Sequence, residues 1–201
     1  MTQITGGRPA GYMVQTIVRD NDNIRIAVDY DLGSTVQRVE MLMSGTSLAP
    51  IGHVETVARR RGGDAAGEVH FSDGRARGAY ILSKGVIDIP LDSGIVDDDA
   101  STALLPTLPL DSAKSFMFRT FASPGRVEIT RVVVAGIDTV SVPAGRFEVF
   151  RLRVMARDTS SVFVSTVAPR RVVLVRLSDG SGEMRLLNRP SGDKNVVRGT
   201  R

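Results

Sequence analysis

Apolar and polar residues alternate with a period of two along most of this chain, in runs that end at Gly, Pro, Asn or Asp. Hardly any window carries the 3.6-residue period of an amphipathic helix. The pattern predicts an all-β, single-domain protein of roughly a dozen antiparallel strands. That many strands exceed what one flat sheet carries comfortably, so the sheet is expected to curve strongly, as an open barrel or a two-layer roll. Residues 11–188 make up that domain. Residues 1–10 and 189–201 lack the pattern and are expected to be flexible, the second as a basic tail.

Turn chemistry places the hairpins. Reading Asp20-Asn21-Asp22 as a three-residue loop sets Tyr12, Val14, Thr16 and Val18 opposite Tyr30, Val28, Ile26 and Ile24, with one apolar face on both arms. Asp73-Gly74 is a two-residue turn, and Ser83-Lys84-Gly85 and Asp179-Gly180-Ser181-Gly182 mark two more. At Pro143-Ala144-Gly145, Pro presets φ and Gly permits a positive φ. A tight hairpin there sets Val142 opposite Phe147, Val140 opposite Val149 and Asp138 opposite Arg151. Farther from that turn Ile137, Phe150, Leu152 and Val154 switch to the other face, which requires a bulge, a passage between layers, or burial on both faces. One short helix near 97–105 is expected: Asp97-Asp98-Asp99 supplies an N-cap and first-turn carboxylates, and Pro106 ends it, over an opening of the sheet.

Composition narrows the partners. The 201 residues can bury one core, and the absence of Cys removes disulfides, thiolate metal sites and thiol nucleophiles. Most of the net charge of +4 sits in the tail, in Arg189, Lys194, Arg198 and Arg201 against Asp193. The body is nearly neutral, so nucleic acid is not an expected partner. The longest uncharged stretch, Met41 to Val54, is interrupted by Gly45, Pro50 and Gly52 and is too short to cross a bilayer as a helix, which takes about 20 residues. The first residues, MTQITGGRPAG, carry neither the basic nor the apolar part of an export signal.

The chemistry-bearing residues are few. His53, Glu55 and His70 have the residue types of a two-His-one-carboxylate metal site. With the hairpin centred near Gly62-Gly63, Glu55 falls opposite His70 and His53 opposite Ser72. A cross-strand polar pair on a solvated sheet face explains the same residues and is the favoured reading. The aspartates at 97–99 read as helix caps in preference to a calcium loop. Arg151 and Arg153, with Arg119, Arg131 and Arg146 near in sequence, read as an exposed mixed-charge face in preference to an anion site, given Asp138, Glu128, Glu148 and Asp158. Arg59-Arg60-Arg61 reads as a loop tip. Neither Gly-x-Ser-x-Gly nor a Gly-rich phosphate loop occurs, so no catalytic residue and no cofactor is assigned.

The segments Leu104-Leu105-Pro106-Thr107-Leu108-Pro109-Leu110, Val132 to Ile137, Val142-Pro143-Ala144-Gly145-Arg146-Phe147 with the strand to Leu152, and Ala168-Pro169-Arg170-Arg171-Val172-Val173 resemble the bacterial domain-of-unknown-function family 3108. The Val-Pro-Ala-Gly-x-Phe core is the most specific piece. Asp111-Ser112-Ala113 departs from the Gly common there in the family. The resemblance implies a curved antiparallel β domain of an exported protein, in the periplasm or cell envelope. The missing signal keeps a cytoplasmic location as the alternative. The leading functional expectation is a non-enzymatic envelope domain whose concavity binds an apolar or amphipathic ligand or a partner segment. The alternatives are a metal-assisted enzyme built on His53, Glu55 and His70, and an interaction module that pairs through a strand edge.

Overall fold

The computed structural model describes residues 1–5, 8–59, 63–81, 85–180 and 182–187. In chain order the strands are β1 (Thr2–Thr5), β2 (Arg8–Asp20), β3 (Asn23–Asp31), β4 (Thr35–Ser44), β5 (Pro50–Arg59), β6 (Ala65–Ser72), β7 (Arg75–Ala79), β8 (Ile87–Pro90) and β9 (Ile95–Asp97). A helix α1 (Asp98–Leu104) and a 3-10 turn (Leu105–Thr107) follow, then β10 (Ser115–Ala122), β11 (Arg126–Val142), β12 (Gly145–Met155), β13 (Thr159–Ser165), β14 (Val172–Leu177) and β15 (Glu183–Arg185). All fifteen strands belong to one sheet, ordered β8 down to β1 and then β15 down to β9. The first and last strands therefore lie in mid-sheet, and the middle of the chain supplies both edges.

That ordering forces the roll. Neighbouring strands lie about 4.8 Å apart, so fifteen of them laid flat would span ~67 Å. Only Leu91 to Gly94 join edge strand β8 to edge strand β9, and such a link reaches at most ~18 Å. The edges do more than meet. On β10, Phe116 and Phe118 face the main core, while Phe121, with Ile95 of β9, points the other way. Yet Phe121 and Ile95 are buried, packed on Val69 of β6, Ala76 of β7 and Tyr80, which line the concave side at the opposite end of the sheet. The β9–β10 edge is thus tucked beneath β5–β8, and the two ends overlap with side chains between them.

The concavity is filled by the chain itself. On one wall Ile26, Val28, Val39, Met41 and Met43 pack against Ala100 and Ala103 of α1. On the other, Val132, Phe150, Leu152, Val162, Val164 and Val175 pack against Leu105 and Leu110, and Met1 and Met184 touch both groups. Arg170, in the turn after β13, fastens the exit of this inner segment. It donates to the Leu108 carbonyl at 3.0 Å, pairs with Asp111, and lies 5.1 Å from the centre of the Phe150 ring. A smaller cluster of Val140, Val142, Val149, Phe163, Val173 and Leu174 sits on the other face of β11–β14, so the central hairpin is buried on both sides.

The expected all-β, curved architecture and the capped helix hold; several details differ. The N-terminal segment contains a strand: β1 pairs with β2 on one side and β15 on the other, and two backbone ladders compensate for four residues without a strong apolar pattern. The β9–β10 pair is parallel, because α1 and residues 105–114 form a crossover between the two strands instead of a hairpin. The loop after β2 has two residues, with Asn21 at φ +52°, so Asp20 pairs with Asn23 and Tyr12 with Asp31. This one-residue slip turns Tyr12, Val14 and Val18 outward, where they are largely exposed, and Met13 inward. At the Pro143 corner the turn is two residues shorter, an even shift that changes the partners and keeps the faces. Val142 pairs with Gly145, Val140 with Phe147 and Asp138 with Val149. The expected bulge lies at Val134/Gly136, where Gly136 takes φ +134°. Residues 189–201, Arg60, Arg61, Ser83, Lys84 and Ser181 lie outside the described residues.

The filled concavity is directly testable. Ala100 has no exposed surface, so Ala100→Leu should lower the unfolding free energy by about 1–3 kcal/mol through overpacking. Unchanged or increased stability in a denaturant titration would instead reveal unfilled space beneath the helix.

Candidate functional site

Along β5 the residues His53, Glu55 and Val57 point inward, and Val54 and Thr56 point out. The inward set is fixed by its neighbours, since His53 pairs with Met41 and Val69, and Glu55 with Val39 and Gly67. His53 is 1% and Glu55 7% exposed. The expectation that these two lie on a solvated face is therefore corrected. The β5–β6 pairing differs by three positions from the register expected around Gly62-Gly63, an odd offset that moves every β6 side chain to the other face relative to β5. His70 consequently sits outside, 67% exposed and 3.1 Å from Glu68. The set His53, Glu55, His70 is not brought together as a metal site.

What the fold does assemble is a different group around His53. Asp97 ends β9 and is the N-cap of α1. Its Oδ1 accepts the Asp99 backbone N–H at 3.0 Å, and its Oδ2 lies 2.9 Å from His53 Nδ1. Capping was the expected role of this aspartate; the contact with His53, 44 residues away, was not legible. The Tyr80 ring meets the imidazole edge-on at 4.9 Å. Glu55 accepts the backbone N–H of Ile81. That bond depends on Gly67: a Cβ there would fall 2.7 Å from both the Ala79 carbonyl and the Ile81 nitrogen, so only a bare backbone lets residues 79–81 cross so near. Gly67 and Tyr80 carried no sequence signal for this role.

The electrostatics follow from burial beside carboxylates. Burial lowers the affinity of His53 for a proton, but the hydrogen bond it donates to Asp97 and the charges of Asp97, Asp99 and Glu55 outweigh it, and its pKa is raised. The Asp99 carboxyl is pushed up to about 7, first by desolvation and then by Asp97, with His53 opposing. Its side chain nevertheless keeps 45% exposure, which gives the cluster a route to solvent. Asp98 is raised by burial and by Asp97, and Tyr80 is raised by burial and by the surrounding carboxylates. With Nδ1 committed to Asp97, His53 Nε2 has no hydrogen-bond partner and lies 3.9 Å from Asp99 Oδ2. A buried polar group left this way costs about 1–3 kcal/mol.

Elsewhere, Arg151 lies 3.9 Å from Asp138, and the Arg25, Arg38, Asp29 and Glu40 side chains form an exposed network, in keeping with mixed-charge faces. A groove of about 330 Å³ opens where the sheet ends overlap, between Ala49-Pro50, the β6–β7 turn from Phe71 to Arg75, and the Leu91–Ile95 connection. No helix of the described residues is long and apolar enough to cross a membrane.

Two outcomes are expected of the cluster. Asp97→Ala leaves a buried histidine unpaired and should cost about 3–5 kcal/mol. Both His53 and Asp99 hold protons more tightly folded than unfolded, so the stability they provide is present at low pH. It is lost as pH rises through the acid-to-neutral range and past the raised His53 pKa. Melting temperature measured with a chelator should therefore fall as pH rises from about 4 through about 7, and Asp99→Asn should flatten that slope. An unaltered slope would show that the cluster does not titrate with folding.

No curated protein matches the chain. Among solved structures it is similar to a β-barrel-like protein of the domain-of-unknown-function family 1849 from Brucella abortus, at 14% identity and TM-score 0.57 over 92% of this chain and 88% of that one. At this identity the likeness concerns the fold, and it agrees with the rolled sheet. The model of the family "Protein of unknown function (DUF3108)" matches residues 1–187, from β1 through β15, and the chain belongs to that family.

Proposed function

We propose that this chain is a non-enzymatic interaction domain of the bacterial cell envelope, and that it recognises an extended amphipathic segment of a partner protein in the groove at the overlap of its sheet ends. The observation that carries this reading is the filled concavity. Because α1 and residues 105–110 occupy the inside of the roll, recognition falls to the outside, and an interior apolar carrier site is disfavoured.

The groove has the chemistry such a segment needs. Phe71, Leu91 and Pro50 offer apolar contact, Asp73, Arg75 and Asp92 border it, and its volume of about 330 Å³ accommodates a few side chains. It adjoins β8, whose one described neighbour is β7, so a partner strand could extend the sheet there. The periplasmic or envelope location rests on what the family resemblance implies. A metal-assisted enzyme on His53, Glu55 and His70 has no support, since His70 lies on the opposite face.

A photo-crosslinking side chain at Ser93, exposed in the groove wall, should trap one envelope protein in the native bacterium. The same probe at Arg157, in the β12–β13 turn, should not, and Leu91→Asp should abolish the Ser93 product. Equal capture from both positions, or a stoichiometric lipid in organic extracts of the purified domain, would overturn this reading in favour of a non-specific surface or an interior carrier.

A further inference from the structure

The fold uses Nδ1 of His53 and leaves Nε2 over. That nitrogen is fully buried, has no hydrogen-bond partner, and points toward the Asp99 carboxylate 3.9 Å away, where Asp99 is open to solvent. We propose that His53 Nε2 and the Asp99 carboxylate bind one divalent transition-metal ion of the zinc and cobalt class, with Asp97 as the carboxylate that orients the imidazole through Nδ1. This set shares only His53 with the one expected from sequence, and it is independent of the groove.

Three features fit an ion. A metal-bound histidine commonly donates its other ring N–H to a carboxylate, which fixes ring orientation and strengthens the ligand. Here Asp97 holds Nδ1 at 2.9 Å and is itself anchored by the Asp99 backbone N–H, so the arrangement is rigid without the ion. The donor atoms offered by His53, Asp97 and Asp99 lie within 4.8 Å of one another. Nitrogen and oxygen ligands about 2.0–2.2 Å from a tetrahedral ion are separated by roughly 3.4 Å, so a small rotation of the exposed Asp99 side chain closes the remaining gap. Charge favours it as well. Asp97, Asp99 and Glu55 surround a single imidazole, and a divalent cation balances what one imidazolium cannot. On binding, the Nε2 proton leaves to solvent while Nδ1–H stays on Asp97, and water completes the coordination. The mixed imidazole and carboxylate donors suit zinc or cobalt better than calcium or magnesium.

Calorimetric titration of the intact protein with zinc chloride at mildly alkaline pH should give saturable binding of one ion per chain, and cobalt chloride should produce a visible absorption band of the same stoichiometry. Asp99→Asn, at an exposed position, should weaken binding about 10-fold or more while leaving the fold intact, and His70→Ala should leave it unchanged. Side-chain nitrogen NMR should show zinc shifting His53 Nε2, with the Nδ1 proton retained. Absence of stoichiometric binding by the folded wild-type chain, undiminished binding by Asp99→Asn, loss of binding in His70→Ala, or an unshifted His53 Nε2 at saturation would each overturn the proposal.

Discussion

The contact on which this architecture depends is the buried pairing of His53 with Asp97, because it links the inward face of β5 to the edge strand tucked beneath it. A rolled sheet whose edges exchange no backbone hydrogen bonds among the described residues must be held there by side chains. The apolar part of that work falls to Phe121, Ile95, Val69 and Ala76. Apolar packing is non-directional, however, and would tolerate sliding. The His–Asp contact is directional and sets where along β5 the edge comes to rest. The same aspartate starts α1, so closing the overlap and launching the helix into the concavity are one event. The helix then carries Leu105 and Leu110 against the second wall, and Arg170 holds the exit. Clasp, plug and latch form a continuous chain of contacts from residue 53 to residue 170.

Much of the fold was legible because it is written in short-range terms. Period-two alternation gave most of the strands, Asp73-Gly74 gave its turn with both residues at positive φ, and the aspartates before Ala100 gave the helix start. Register was less legible. At Asn21 the loop is one residue shorter than read, and in a sheet that single residue decides which face is inside; at Pro143 it is two shorter, which moves the partners and keeps the faces. The exposed Tyr12, Val14 and Val18 misled because apolar residues are expected inward.

The site was least legible, for the same reason compounded. The polar character of His53 and Glu55 suggested solvent, yet each is made tolerable inside by one distant partner, Asp97 for the first and the Ile81 N–H for the second. Neither partner can be inferred from local spacing, since one comes from the far edge of the sheet and the other from a strand exit that only Gly67 admits. The parallel pairing of β9 with β10, set by the crossover through α1, was hidden likewise.

The placement of β1 has a consequence for how the molecule is made. Thr2 pairs with Arg185, so the first and last strands close the centre of the sheet together. This contact spans almost the entire chain, and structures dominated by such distant pairings fold slowly. During synthesis, the early strands can form hairpins but must wait for the final one before the two halves join. Until then the free flank of β1 keeps an unsatisfied backbone edge, the kind of surface that folding helpers bind and that stray chains adhere to.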